Sequence, residues 1–167
     1  MKTLNITKTQ KITISAICIA LYIVIMLATQ GFAFGQYQIR IATAVYGLSA
    51  IFPFLIIPMA IANCLSNTIM GGLGPIDMIG GGFVGALTCF VIVRTRNLPS
   101  ANIFNALAII FIPGLIVPIW LSYLLNIPYL VLMPSVLVGQ IVPGIVGSML
   151  ASTLKDRLVS YKQCKTN

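Results

Sequence analysis

The chain has 167 residues, 59% of them hydrophobic and 7% charged, with a mean hydropathy of +1.04. A soluble domain carries roughly 25% charged residues, so one is excluded, and the apolar content excludes a disordered chain as well. Ten Lys and Arg against two Asp and Glu make the chain basic, but no basic face with interleaved aromatics accompanies them, so nucleic acid is not the expected partner.

What remains is a small polytopic α-helical membrane protein. A spanning helix takes about 20 apolar residues, so six need roughly 120 and leave short loops. The cations mark the topology. Lys2, Lys8 and Lys11 precede the first apolar run, Arg94 and Arg96 sit together mid-chain, and Lys155, Arg157, Lys162 and Lys165 lie with Asp156 near the end. Clusters of this kind favour the cytoplasmic side, and an even number of spans must then separate neighbouring clusters.

In chain order, Ile12 to Thr29 is the first span. A basic start and a following Gly31-Phe32-Ala33 suggest a signal peptide, but the apolar run exceeds the usual h-region of about 7–15 residues. It reads as an uncleaved first helix. Ile41 to Met70 is apolar and interrupted by Pro53 and Pro58. One long helix there would leave an odd count before Arg94, so parity predicts two short helices broken near Pro53. Asp77 to Val93 is the fourth span. From Arg96 to Lys155 no charge intervenes, which suits two helices, Ile103–Leu125 and Tyr129–Leu154, turned at Asn126-Ile127-Pro128. Trp120, Tyr123 and Tyr129 at that turn read as an aromatic belt. The expected organisation is a cytoplasmic tail over 1–11, a six-helix membrane domain over 12–157 and a cytoplasmic tail over 158–167.

This topology places the Gly31–Gln38 and Gly71–Asp77 loops at the outer face. The only charges away from the three clusters, Arg40 and Asp77, therefore meet there. Charges at membrane depth are costly and commonly pair or line a polar cavity. The alternative is that Arg40 snorkels to headgroups and Asp77 favours the N-terminal dipole of the fourth helix. Gln36, Gln38 and Asn67 lie near the same face, with Asn63 deeper and Gln140 in the last helix as a further candidate. Amides offer donors and acceptors together, which suits a flat heterocycle with ring nitrogens and a carbonyl. Hydrogen bonding between helices would use the same residues.

Gly71, Gly72 and Gly74 can form a tight turn at a ligand, whereas Gly80, Gly81, Gly82 and Gly85 suit close helix packing. Neither group is a phosphate loop, because no Lys-Ser/Thr follows. Ala16 and Ala20 form a small-xxx-small pair on one face of the first helix. Cys18, Cys64, Cys89 and Cys164 include no CxxC pair and no histidine joins them, so no metal or cofactor is expected. One carboxylate in the spanning region cannot form a general acid–base pair, and no nucleotide-binding motif is present. The chain is not expected to be an enzyme or to drive active transport alone. A ligand-binding membrane subunit powered by partners fits better.

Phe34-Gly35-Gln36-Tyr37-Gln38-Ile39-Arg40-Ile41, then Gly72-Leu73-Gly74-Pro75-Ile76-Asp77 and Gly81, resemble the QueT family. Asn63 and Asn67 both resemble the asparagine that family carries before its Gly-Leu-Gly turn. The resemblance implies a substrate-binding (S) component of an energy-coupling factor transporter, an ABC-type importer that takes up queuosine precursors or related deazaguanines. It implies a shared transmembrane coupling subunit and two cytoplasmic ATPases as partners, with Ala16 and Ala20 matching the Ala-x-x-x-Ala contact motif. The implied site has Asp77 accepting from ring N–H and amino donors, and Arg40 and an asparagine on the carbonyl. Thr43 stands where family members carry an acidic residue, which points to queuine or its nucleoside rather than the smaller aminomethyl precursor. An S component for another vitamin, such as riboflavin, and a membrane scaffold without a small ligand remain as rivals.

Overall fold

The computed structural model describes residues 6–33, 39–70 and 73–166, with the side chains of Phe32 and residues 159–166 set aside. It is all helix among these residues. Four helices are long and apolar enough to cross a membrane, and two shorter apolar segments lie between the first and second of them.

The first long helix, α1 (Lys8–Ala28), opens on a capping box: Gln10 N donates to Thr7 Oγ1 at 3.3 Å and Thr7 N donates to Gln10 Oε1 at 3.0 Å. Its 21 residues rise about 31 Å, close to the hydrocarbon thickness. Only Cys18, Tyr22 and Met26 are buried, a stripe at four-residue spacing, while Ile12, Ile17 and Val24 on other faces stay exposed. Such a helix lies at the edge of a bundle and faces lipid. A single turn, α2 (Gln30–Ala33), follows it.

The next pass is a 3₁₀ helix, η1 (Ile41–Ala50). Runs of this helix beyond four residues are uncommon, and here one continues for ten. Its rise is about 2.0 Å per residue against 1.5 Å for an α-helix, so ten residues reach roughly 20 Å instead of 15 Å. That stretch lets a short segment cross most of the bundle. Every residue from Ala42 to Ser49 is buried, with α1, α4, α5 and α6 around it.

The chain then breaks at Ile51-Phe52, ahead of Pro53, because proline disfavours helix at the preceding residue. A short η2 (Pro53–Leu55) leads into α3 (Ile56–Ile69). Pro58 costs α3 nothing, since it sits in the first turn where its missing N–H has no helical partner. The two short helices expected from parity are therefore present, and the first of them is not an α-helix.

The second half is a run of long helices: α4 (Pro75–Thr95), α5 (Ala101–Leu125) and α6 (Tyr129–Thr166). Asn126 ends α5 in the left-handed conformation at φ 54°, and Pro128 follows, so the expected turn is sharp. α5 and α6 pack closely where a Cβ on Gly114 or Gly144 would strike Leu137 or Ile110. Gly47 of η1 lies against the backbone of Gly147 in α6 just as tightly. Prolines 113, 118, 134 and 143 stand inside these helices. Neighbouring helices make interior prolines tolerable at membrane depth.

Alternating passes bring Lys8, Lys11, Arg94, Arg96, Lys155 and Arg157 to one end of the bundle. The opposite end holds the start of η1, the end of α3, the start of α4, the last turns of α5 and the first turns of α6.

Candidate functional site

At that opposite end most of the buried polar side chains converge, among them both buried charges. Arg40 precedes η1, is 5% exposed, and points between helices rather than out to headgroups. Its Nη1 donates to Asn67 Oδ1 at 3.3 Å and to Asn63 Oδ1 at 3.5 Å. The two asparagines stand four residues apart on α3 and so share a helix face. A guanidinium taken out of water needs such acceptors.

Asn67 also links Arg40 to the other charge. Its Nδ2 donates to the main-chain oxygen of Asp77 at 3.0 Å. Asp77 lies in the first turn of α4 and is 1% exposed. The turn that delivers it depends on Gly74, whose φ of +105° suits glycine, with Pro75 opening the helix next. The positive end of the α4 dipole favours its carboxylate. Oδ1 accepts from the indole Nε1 of Trp120 at 3.0 Å. Asp77 thus sits both at the start of α4 and in a polar row, and Arg40 is buried against the amides of α3.

Below this row lies a second layer. Asn63 Nδ2 donates to Tyr46 Oη at 2.7 Å, and the Tyr46 and Tyr22 hydroxyls are 3.2 Å apart with their rings stacked. Glycine spacing on α4 makes room for it. A Cβ on Gly81 would fall 2.6 Å from Asn67 Nδ2 and 2.9 Å from Asn63 Oδ1, and one on Gly85 3.0 Å from Tyr46 Oη. On the other side, Thr43 Oγ1 lies 2.7 Å from the Arg40 carbonyl and 2.8 Å from the Gln140 side-chain oxygen. One hydroxyl proton serves one of these contacts at a time. Both become hydrogen bonds when Gln140 presents its NH₂ to Thr43.

These residues line a small cavity. Arg40, Thr43, Tyr46, Asn63 and Gln140 form its polar side, and Val84, Pro113, Val117 and Val136 its apolar side. It leaves about 10 Å³ for a water-sized centre, which is room for about one water molecule. Its wall is mostly apolar, with a few polar atoms reaching it from Arg40, Thr43, Tyr46, Asn63 and Gln140.

Of the residues singled out from the sequence, Arg40, Asn63, Asn67, Asp77 and Gln140 therefore come together. Gln36, Gln38, Gly71 and Gly72 lie outside the described residues. Both asparagines reach Arg40, and Asn63 also lines the cavity. Trp120 is half-buried and donates to Asp77 beside Gly80, while Tyr123 is 78% exposed. Tyr46 and Trp120 were missed. Ala16 and Ala20 are exposed on α1, away from the stripe that packs into the bundle.

A family model described as QueT transporter matches residues 12–156. No curated protein and no solved structure matches the chain.

Proposed function

The chain belongs to the QueT transporter family, and from that premise we propose that it is the substrate-capturing subunit of an energy-coupling factor importer. It is a multi-pass membrane protein with a role in transport. The ligand class we assign is a deazaguanine, with queuine or its nucleoside ahead of the aminomethyl precursor. The observation that carries this is the hydrogen-bonded row Arg40–Asn67–Asp77–Trp120 at one end of the bundle, with Asn63 beside it and both charged members buried. Buried polar groups in a membrane are expensive, and a ligand gives them a use.

In this reading the cationic end is cytoplasmic, by the bias of Lys and Arg toward that side, and the site opens outward. Asp77 accepts from a ring N–H and an exocyclic amino group, which a carboxylate does with charge-assisted strength. Arg40 and Asn63 meet the ring carbonyl, and Val84, Val117 and Val136 lie against its faces. The neutral Thr43–Gln140 pair offers hydrogen bonds and no charge, which suits the hydroxyls of a larger substituent. The chain supplies no hydrolytic chemistry. Two partner ATPases and a transmembrane coupling subunit would provide the drive, with the outward-facing Ala16 and Ala20 on α1 as the contact.

The test is a thermal-shift panel on detergent-purified protein with queuine, its nucleoside, the aminomethyl precursor, riboflavin and thiamin. A ligand held only by the folded state adds about 2.7 kcal/mol at a hundredfold excess over its Kd. A deazaguanine is expected to raise the transition, and Asp77→Ala is expected to abolish that rise while the protein still inserts. A rise with riboflavin instead would discard the ligand class, and no rise with any compound would leave a scaffold. Ala16→Trp with Ala20→Trp is expected to spare the rise and stop co-purification with the coupling subunit. Unchanged co-purification would reject the α1 contact.

A further inference from the structure

Trp120 is the one tryptophan in the chain, and it occupies an informative position. Its indole Nε1 donates to Asp77 Oδ1 at 3.0 Å. An indole nitrogen is a donor only, so it offers the carboxylate what a heterocyclic ring N–H would offer. The ring itself lies against α4 at Gly80, where a Cβ would stand 3.0–3.2 Å from Cε2, Cζ2 and Cδ2. Next to Gly80, Ile79 is 71% exposed, and Phe83 on the following turn is 60% exposed. The indole therefore fills the seam between α4 and α5, from the lipid-facing surface inward to the carboxylate. It also packs on the apolar cluster of Val84, Val117, Leu121 and Leu132, two members of which wall the cavity.

We infer that Trp120 is the displaceable cover of the site: its N–H holds Asp77 in the empty protein, in the place a ligand's ring N–H takes, and it must leave for the ligand to bind. The backbone allows the movement. Pro118, two residues earlier, has no N–H to give the Gly114 carbonyl, so the last turns of α5 lack one tie to the rest of that helix. The indole packs on Val84 and Val117, which wall a cavity with room for about one water, so its departure opens space beside them for a ring. Trp120 thereby sets specificity. A ligand without an N–H donor cannot replace the bond it breaks, and the carboxylate would be left buried without a donor.

The inference rests on Asp77 facing the ligand, and the experiment separates failure of one from failure of the other. All tryptophan emission of the wild-type chain comes from Trp120. Adding queuine to detergent-purified protein is expected to shift and quench that emission as the indole leaves the carboxylate. Trp120→Phe keeps a ring in the seam and removes the competing donor. It is expected to bind queuine more tightly, by roughly tenfold or more, because a hydrogen bond to a charged group no longer has to be broken first. Unchanged emission in the wild type, or unchanged or weaker binding by Trp120→Phe, overturns the cover.

If no compound of the panel binds the wild type, the deazaguanine reading is what fails, and the cover is judged without ligand. A water-soluble carbodiimide with glycine ethyl ester labels carboxylates, and the two on side chains are the buried Asp77 and the exposed Asp156. Asp77 is expected to be protected relative to Asp156 in the wild type and in Trp120→Phe, and to lose protection in Trp120→Gly. Equal protection of Asp77 in wild type and Trp120→Gly overturns the cover.

Discussion

α1 and η1 are neighbours in the chain and are both strongly apolar, yet they live in opposite surroundings. α1 buries three of its 21 residues and η1 buries eight of its ten. Hydropathy does not separate them, because lipid tails are as apolar as a protein core. Residue size does. The exposed faces of α1 carry Ile12, Ile17, Leu21, Val24 and Leu27, whereas η1 is built on Ala42, Thr43, Ala44, Gly47, Ser49 and Ala50. Small residues let backbones approach, and an element that four helices approach becomes the centre. Polar groups on such an element cannot reach water, so Arg40, Thr43 and Tyr46 answer to the site and to each other.

The sharpest way to break this comparison is to put bulk on η1. A Cβ on Gly47 would come 2.2 Å from the carbonyl oxygen of Gly147, a backbone atom that cannot swing aside. Gly47→Leu is expected to abolish recovery of folded protein, read by size exclusion after detergent extraction. Overpacking commonly costs about 1–3 kcal/mol, and a backbone clash places this variant at or above the upper end. A monodisperse Gly47→Leu with an unchanged melting transition would mean that η1 is not held as described.

A smaller effect is expected from Tyr46→Phe. The change strands Asn63 Nδ2, which donates to Tyr46 Oη at 2.7 Å, and it takes away the Tyr22 hydroxyl's neighbour at 3.2 Å. A buried donor left unmet costs about 1–3 kcal/mol. Ligand affinity should fall with stability, because Asn63 also accepts from Arg40. If the transition drops while affinity is untouched, the second layer supports the fold and not the site.

How much of this was legible in the sequence follows from the same contrast. The six passes were readable because cation parity and span length are properties of the chain itself. Arg40 and Asp77 were readable as the charges that no terminus or cation cluster accounts for, and the buried amides as the groups able to answer them. The 3₁₀ geometry of η1 was not readable. It arises from the fit of a small-residue segment among four helices, and nothing local demands it. The Trp120–Asp77 contact was not readable for a similar reason. Near a turn an aromatic serves equally as a belt residue or as a cover, and only the α4–α5 packing decides. Tyr46 was hidden inside an apolar run, where its hydroxyl carries no signal until α3 brings Asn63 to it.

The smallest effect belongs to the outer face of α1, and it sharpens the comparison most cheaply. Ile17 is 60% exposed and Tyr22, on the inner stripe of the same helix, is fully buried. Truncating a side chain that faces lipid replaces one apolar contact with another, so Ile17→Ala is expected to stay within about 0.5 kcal/mol of wild type. Tyr22→Phe removes a buried hydroxyl that faces Tyr46 and should cost about 0.5–1.5 kcal/mol. Melting transitions of the two variants in one detergent give the ordering directly. If Ile17→Ala is the more damaging, the outer face of α1 is packed against something in the purified sample. A second copy of the chain would then occupy the surface on which Ala16 and Ala20 stand, and the coupling subunit would have to compete for it.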